Sequence, residues 1–152
     1  MTKRNEKEKD WIIHYISSGG TCDECGKATT EFLPCICNAH THGMNQYGHM
    51  EFQVILNLGP GLIGYLLNTM GQRVQDGEIF KDGDIITGIT ATPEGKDLPL
   101  RLKEVLSDGV PLLRIILPDE NGRFPDDPDC AYIYNLQHLP EELLQKKSEP
   151  SA

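Results

Sequence analysis

The sequence predicts an α+β fold, a single domain in which a small mixed β-sheet is flanked by two or three helices. Three observations carry that prediction. Residues 49–58 alternate apolar and polar side chains with period two, Ile55 excepted, Leu62 to Val74 repeat at helical spacing, and 112–117 form a short apolar run, apart from Arg114, suited to an interior strand. A chain of 152 residues is the size of one ordinary domain and can bury a core without disulfide staples.

The elements follow in order. Residues 1–9 read as a flexible amino terminus, 10–145 as the globular domain and 146–152 as a disordered tail. Over 10–18 the pattern predicts a short helix, with Asp10 as N-cap, Trp11 and Tyr15 four apart, and Gly19-Gly20 as its stop. The segment 21–43, punctuated by Gly26 and Pro34, reads as irregular and polar. In the strand that follows, Met50, Phe52, Val54, Leu56 and Leu58 alternate with His49, Glu51, Gln53 and Asn57.

Gly59-Pro60-Gly61 breaks the strand, and Leu62, Leu66, Leu67, Met70 and Val74 mark a helix that ends at Gly77. The turn signals Asp76-Gly77 and Asp82-Gly83 precede a strand at 85–91. Leu98, Leu100 and Leu102 alternate with Pro99, Arg101 and Lys103, and the run 112–117 then supplies the interior strand. Pro118–Pro128 is a loop with an Asn121-Gly122 turn, and Pro140-Glu141-Glu142 opens a short carboxy-terminal helix.

Composition excludes several functions. With 38% hydrophobic residues and no apolar run near the roughly 20 residues of a membrane helix, no membrane association is expected. The net charge of −9, with scattered basic residues, lacks the basic stripe of a nucleic-acid binder. The amino-terminal residues lack a signal-peptide apolar segment, so the expected location is the cytoplasm. An odd count of five cysteines in a reducing compartment points to metal binding or a reactive thiol rather than to paired disulfides.

The chemistry gathers at 22–49, where Cys22, Cys25, Cys35, Cys37, His40, His42 and His49 place seven potential ligands within 28 positions. Cys22-x2-Cys25 followed by Gly26 resembles a zinc knuckle, because two thiolates on a glycine-bearing turn converge on one tetrahedral ion. Cys35-x-Cys37 departs from that spacing. His40 and His42, one residue apart, share a side of any extended segment, so Cys22, Cys25, Cys35, Cys37, His40 and His42 are the candidate zinc ligands. The bland alternative is a set of buried thiols and surface histidines that are merely close in sequence. A redox-active CxxC would need a βαβ context that is not evident.

The run from Thr41 to Phe52, with Thr41, Gly43, Gly48, His49 and Glu51, resembles a family of bacterial proteins defined as domain of unknown function 4262, whose members carry a T-x-G-L…G-H-P-E-L stretch entering an apolar strand. Met44 and Met50 replace the family's leucine and proline. Arg73-Val74, Gly77-Glu78, Phe80 and Gly83-Asp84 are similar to its next element, and the stretch from Leu113 through Asp119, Gly122, Arg123 and Pro125 resembles its strand and P-D-x-x-G-R-[FW]-P loop. Gln137 and Leu139 complete a likeness that spans residues 37–139 and implies no activity. It does group His49 and Glu51 with Asp119 and Arg123 as candidate catalytic residues that would meet at one edge of the sheet.

Three functions compete on these grounds. The first is a small zinc-binding protein. The second is a metal-assisted hydrolase in which His42, His49 and Glu51 surround an activated water. The third is a non-catalytic acidic module of immunity type that meets a basic partner. The sequence leaves the small-molecule or protein partner unknown.

Overall fold

A computed structural model describes residues 11–16, 36–91, 94–107 and 109–139. Six strands form one mixed sheet: β1 Ile12–Ile16, β2 Ile36–His42, β3 Glu51–Leu56, β4 Ile85–Ala91, β5 Asp97–Ser107 and β6 Val110–Ile116. Their order across the sheet is β1-β2-β3-β6-β5-β4. All neighbours are antiparallel except β3 and β6, which run parallel. Helix α1 spans Pro60–Gln75 between β3 and β4, and a one-turn α2, Tyr132–Asn135, runs into a 3-10 turn at Leu136–His138.

The α+β class holds, but the count and placing of helices differ from expectation. Residues 12–16 are strand β1, not a helix: Trp11 and Tyr15 fit helical spacing, yet Ile12, Ile13 and Ile16 are β-branched and lose less side-chain freedom in a sheet. Likewise the carboxy-terminal part of the stretch expected to be irregular is strand β2. The Gly19-Gly20 stop, the flexible and disordered termini and the helix expected to open at Pro140 lie outside the described residues. Among the described residues no helix is long and apolar enough to cross a membrane.

Alternation along the strands makes two unlike faces. On one, Ala39, Phe52, Val54, Leu56, Leu100, Leu102, Leu113 and Ile115 pack with Ile63, Leu66, Leu67, Met70 and Val74 of α1. Pro60 at the first helical position suits its preset φ, and Gly59 at φ 92° makes the corner from β3. Leu62, expected on the apolar face, is exposed, while Ile63 beside it is buried.

Gly71, which costs helix stability by propensity, is needed for close approach. A Cβ there would lie 2.7 Å from Cε2 of Trp11, so only glycine lets the indole lie flat against α1. The same indole donates to Asn68 Oδ1 at 3.0 Å, and together these contacts dock the start of β1 on the helix.

Between β2 and β3 the register shifts: Ile36 pairs with Leu56 but Ala39 with Val54, so β2 holds one extra residue. That bulge puts Ile36, Ala39 and Thr41 on the core face and leaves Asn38, His40 and His42 together on the other. On this second face a single rung crosses five strands. His14 is level with His40, His40 with Gln53, Gln53 with Arg114, and Arg114 with Lys103.

Candidate functional site

The resemblance-bearing residues 41–52 form one structural lock. The Glu51 carboxylate accepts the Thr41 hydroxyl at 2.8 Å and the backbone N–H groups of Met44, Gly43 and Asn45 at 3.0, 3.2 and 3.3 Å. It thereby satisfies the orphan donors at the start of the 3-10 turn Met44–Tyr47. Thr41 Oγ1 in turn accepts the Phe52 N–H at 2.9 Å. Gly43 at φ 130° and Gly48 at φ 70° flank the turn in conformations that side chains with a Cβ rarely adopt.

His49 is held just as firmly. Its Nε2 accepts the Phe80 N–H at 2.9 Å, so the ring proton sits on Nδ1, which donates to Met50 O at 2.8 Å. The ring also stacks on Phe52, with centroids 5.3 Å apart. Both nitrogens are thus used in tying the start of β3 to the loop before β4. Arg73 closes the same corner by a bidentate pair with Glu78 at 2.8 and 2.9 Å.

Asp119 plays the corresponding part in the second motif. Its Oδ1 accepts the N–H groups of Asn121 and Arg123, and its Oδ2 that of Ala131, each at 2.9 Å. Burial disfavours its charge, but the backbone donors of Arg123, Ala131 and Asn121 and the nearby Arg123 charge outweigh that and hold its pKa below the usual carboxylate range. Because the folded-state value lies below the unfolded one, the stabilisation is present above the unfolded pKa and disappears as pH falls through the folded value. Asp119→Asn is therefore expected to lower stability by about 1–2 kcal/mol at neutral pH. In thermal melts the gap from the parent protein should close below about pH 4; a gap independent of pH would contradict the assignment.

The expected meeting of these two motifs does not occur. β3 and β6 are parallel with Glu51 level with Leu112, and Asp119 follows seven residues later, on the order of 20 Å along the strand direction. Glu51 sits at one end of the sheet and Asp119 at the other.

A different group does converge. His14 of β1 and His40 and His42 of β2 bring their ligand nitrogens within 4.8 Å of one another. The antiparallel pairing sets His14 opposite His40, and the strand period puts His42 on the same side. Ring centroids are 3.9 Å apart for His14 and His42, 4.8 Å for His40 and His42, and 5.4 Å for His14 and His40. His14 is buried, His40 half-buried and His42 exposed, so the cluster opens to solvent on one side. Burial, with the charges of His42 and His14, pushes the His40 pKa down to about 4, which keeps that ring neutral near pH 7.

Cys37 is on the other side of the sheet. Its thiol is buried in the core, reaches Val54 O at 3.9 Å and has its pKa pushed up to about 12 by burial. Cys22, Cys25 and Cys35 lie outside the described residues. The sequence reading missed His14, because the histidine belongs with His40 only once β1 pairs with β2. It also missed Asn38, Gln53 and Arg114, which lie on the same face. A strand reading of 12–16 would have set His14 alternating with Ile13 and Tyr15 and offered it as a partner for His40-x-His42.

This architecture defines an α+β domain in which one helix covers one face of a six-stranded sheet and polar side chains cross the other, with two carboxylate-locked turns at opposite ends. The chain matches the family described as Domain of unknown function (DUF4262) over residues 11–131 and belongs to it. The match begins with β1, well before the motif-based likeness at residue 37, and ends before α2. No curated protein and no solved structure matches the chain.

Proposed function

We propose that the protein binds a transition metal, zinc, through His14, His40 and His42. One observation carries the reading: three imidazole ligand atoms lie within 4.8 Å of one another on two paired strands. Tetrahedral zinc with Zn–N near 2.0–2.1 Å sets its nitrogen ligands roughly 3.3 Å apart. The His40 and His42 Nε2 atoms are 3.0 Å apart, so they need to open by only a few tenths of an ångström. Three protein ligands leave a fourth position, and the exposed side at His42 gives it access to solvent. Cys22, Cys25 and Cys35, in the segment that joins β1 to β2, are further candidate ligands. The net charge of −9 favours a cation electrostatically.

A hydrolytic centre built on His42, His49 and Glu51 has less support, since His49 and Glu51 already spend their polar atoms on the backbone. The test is titration of metal-free protein with zinc, followed by competition against a chromophoric chelator. The expected result is one zinc per chain. His14→Ala should weaken binding by more than the roughly 10–100-fold that loss of an outer-shell partner brings. A stoichiometry near zero overturns the reading, as does unchanged binding in His14→Ala.

A further inference from the structure

We infer that Arg114, acting through Gln53 and Asn38, dictates which nitrogen of His40 carries the ring proton; the inference rests on the zinc reading for its consequence, not for its geometry. Arg114 is buried on β6, with Nη1 donating to the carbonyls of Gln137 and Leu139 at 2.9 and 2.6 Å. Its Nε donates to Gln53 Oε1 at 2.8 Å. A guanidinium has donors and no acceptor, so the Gln53 amide can present only its oxygen there.

Each later orientation then follows. With its oxygen committed, Gln53 presents Nε2, which donates to Asn38 Oδ1 at 3.1 Å. That same oxygen faces His40 Nδ1 at 3.1 Å, and an oxygen there can only accept. His40 therefore carries its proton on Nδ1. Its Nε2 lone pair points toward His42 Nε2, 3.0 Å away, which donates to it in the metal-free protein. Turning both amides over would instead set two donors against each other across the 2.8 Å gap between Arg114 and Gln53.

The consequence is a metal ligand prepared in advance. A metal-bound imidazole donates its other N–H to a carbonyl or carboxylate, which orients the ring. His40 already has that arrangement. To bind zinc through Nε2, exposed His42 would have to give up that proton to water and carry one on Nδ1 instead, whereas His40 would rearrange nothing. Asn38, Gln53 and Arg114 are positioning residues: Gln53 and Arg114 share a rung with His40, Asn38 stands two residues before His40 on β2, and together they link the 137–139 segment to the histidines.

The test reads the His40 tautomer by long-range proton–nitrogen correlation in 15N-labelled, metal-free protein. The parent chain should show Nδ1–H alone. Gln53→Glu keeps the shape but needs a donor from Asn38, whose amide turns over; His40 should switch to Nε2–H and zinc affinity should fall roughly 10–100-fold. Asn38→Asp accepts from both neighbours, so His40 should stay Nδ1–H and zinc binding should be retained. If Gln53→Glu fails to fold, Asn38→Leu carries the test, with both tautomers expected. A His40 that keeps Nδ1–H in Gln53→Glu or in Asn38→Leu overturns the relay, as does equal zinc loss in Gln53→Glu and Asn38→Asp. Because the tautomer is read without metal, a switch in a protein that binds no zinc overturns the zinc reading alone.

Discussion

Replacing Glu51 by alanine is expected to lower the unfolding free energy by about 3 kcal/mol while leaving zinc stoichiometry unchanged. The carboxylate serves the Thr41 hydroxyl and three consecutive backbone donors of residues 43–45 at once. Alanine leaves those donors to water, or unsatisfied where the turn is buried, and frees the 3-10 segment that carries the buried Met44. Glu51→Gln keeps one acceptor oxygen and should fall between the two. A shift in urea midpoint at constant slope reads the effect. If the Glu51→Ala protein were as stable as its parent and had lost its metal, Glu51 would belong to the metal site after all.

Arg114→Ala should cost more, about 3–5 kcal/mol. It removes the donors to Gln53 Oε1 and to the carbonyls of Gln137 and Leu139 in a region with almost no solvent access, and it leaves a void where the guanidinium and its stem were packed. Arg114→Lys should restore only part of the loss, since one ammonium cannot reproduce a fork that donates through Nε and Nη1 in different directions. The measurement is again equilibrium unfolding in urea. A loss below about 1 kcal/mol for Arg114→Ala would mean that these hydrogen bonds stabilise little beyond what water supplies.

How much of this was legible in the sequence depended on how local the determining contact is. β3, α1 and β4 could be read because period, breaker and turn residues lie within or next to each element: Gly59 ahead of the helix with Pro60 at its first position, and Asp82-Gly83 ahead of β4. β1 was misread because Trp11, Ile12, Tyr15 and Ile16 satisfy both periods over so short a stretch, and pairing with β2 decided the matter. The motif residues stand out in the sequence, but the hydrogen bonds they make do not. Glu51 and Asp119 each gather backbone donors from the residues around them, which is invisible until the turns form.

The site itself was half legible. His40 and His42 were visible as a strand-spaced pair, whereas His14 joins them only through antiparallel pairing across 26 residues of chain. The separation of Asp119 from Glu51 followed from the parallel pairing of β3 with β6, which no local pattern encodes. Gln53 looked like part of a solvated strand face. It is buried, with its amide held between Arg114 and Asn38.

The seat of Trp11 against Gly71 has a practical consequence. Trp11 is the sole tryptophan of the chain, immediately before the edge strand β1 and three residues from His14, with its ring pressed on α1. Its emission is therefore an intrinsic optical gauge of whether β1 is seated. A metal that clamps β1 to β2 would alter that signal without any label, and the same fluorescence would separate an edge strand that peels away from unfolding of the whole sheet.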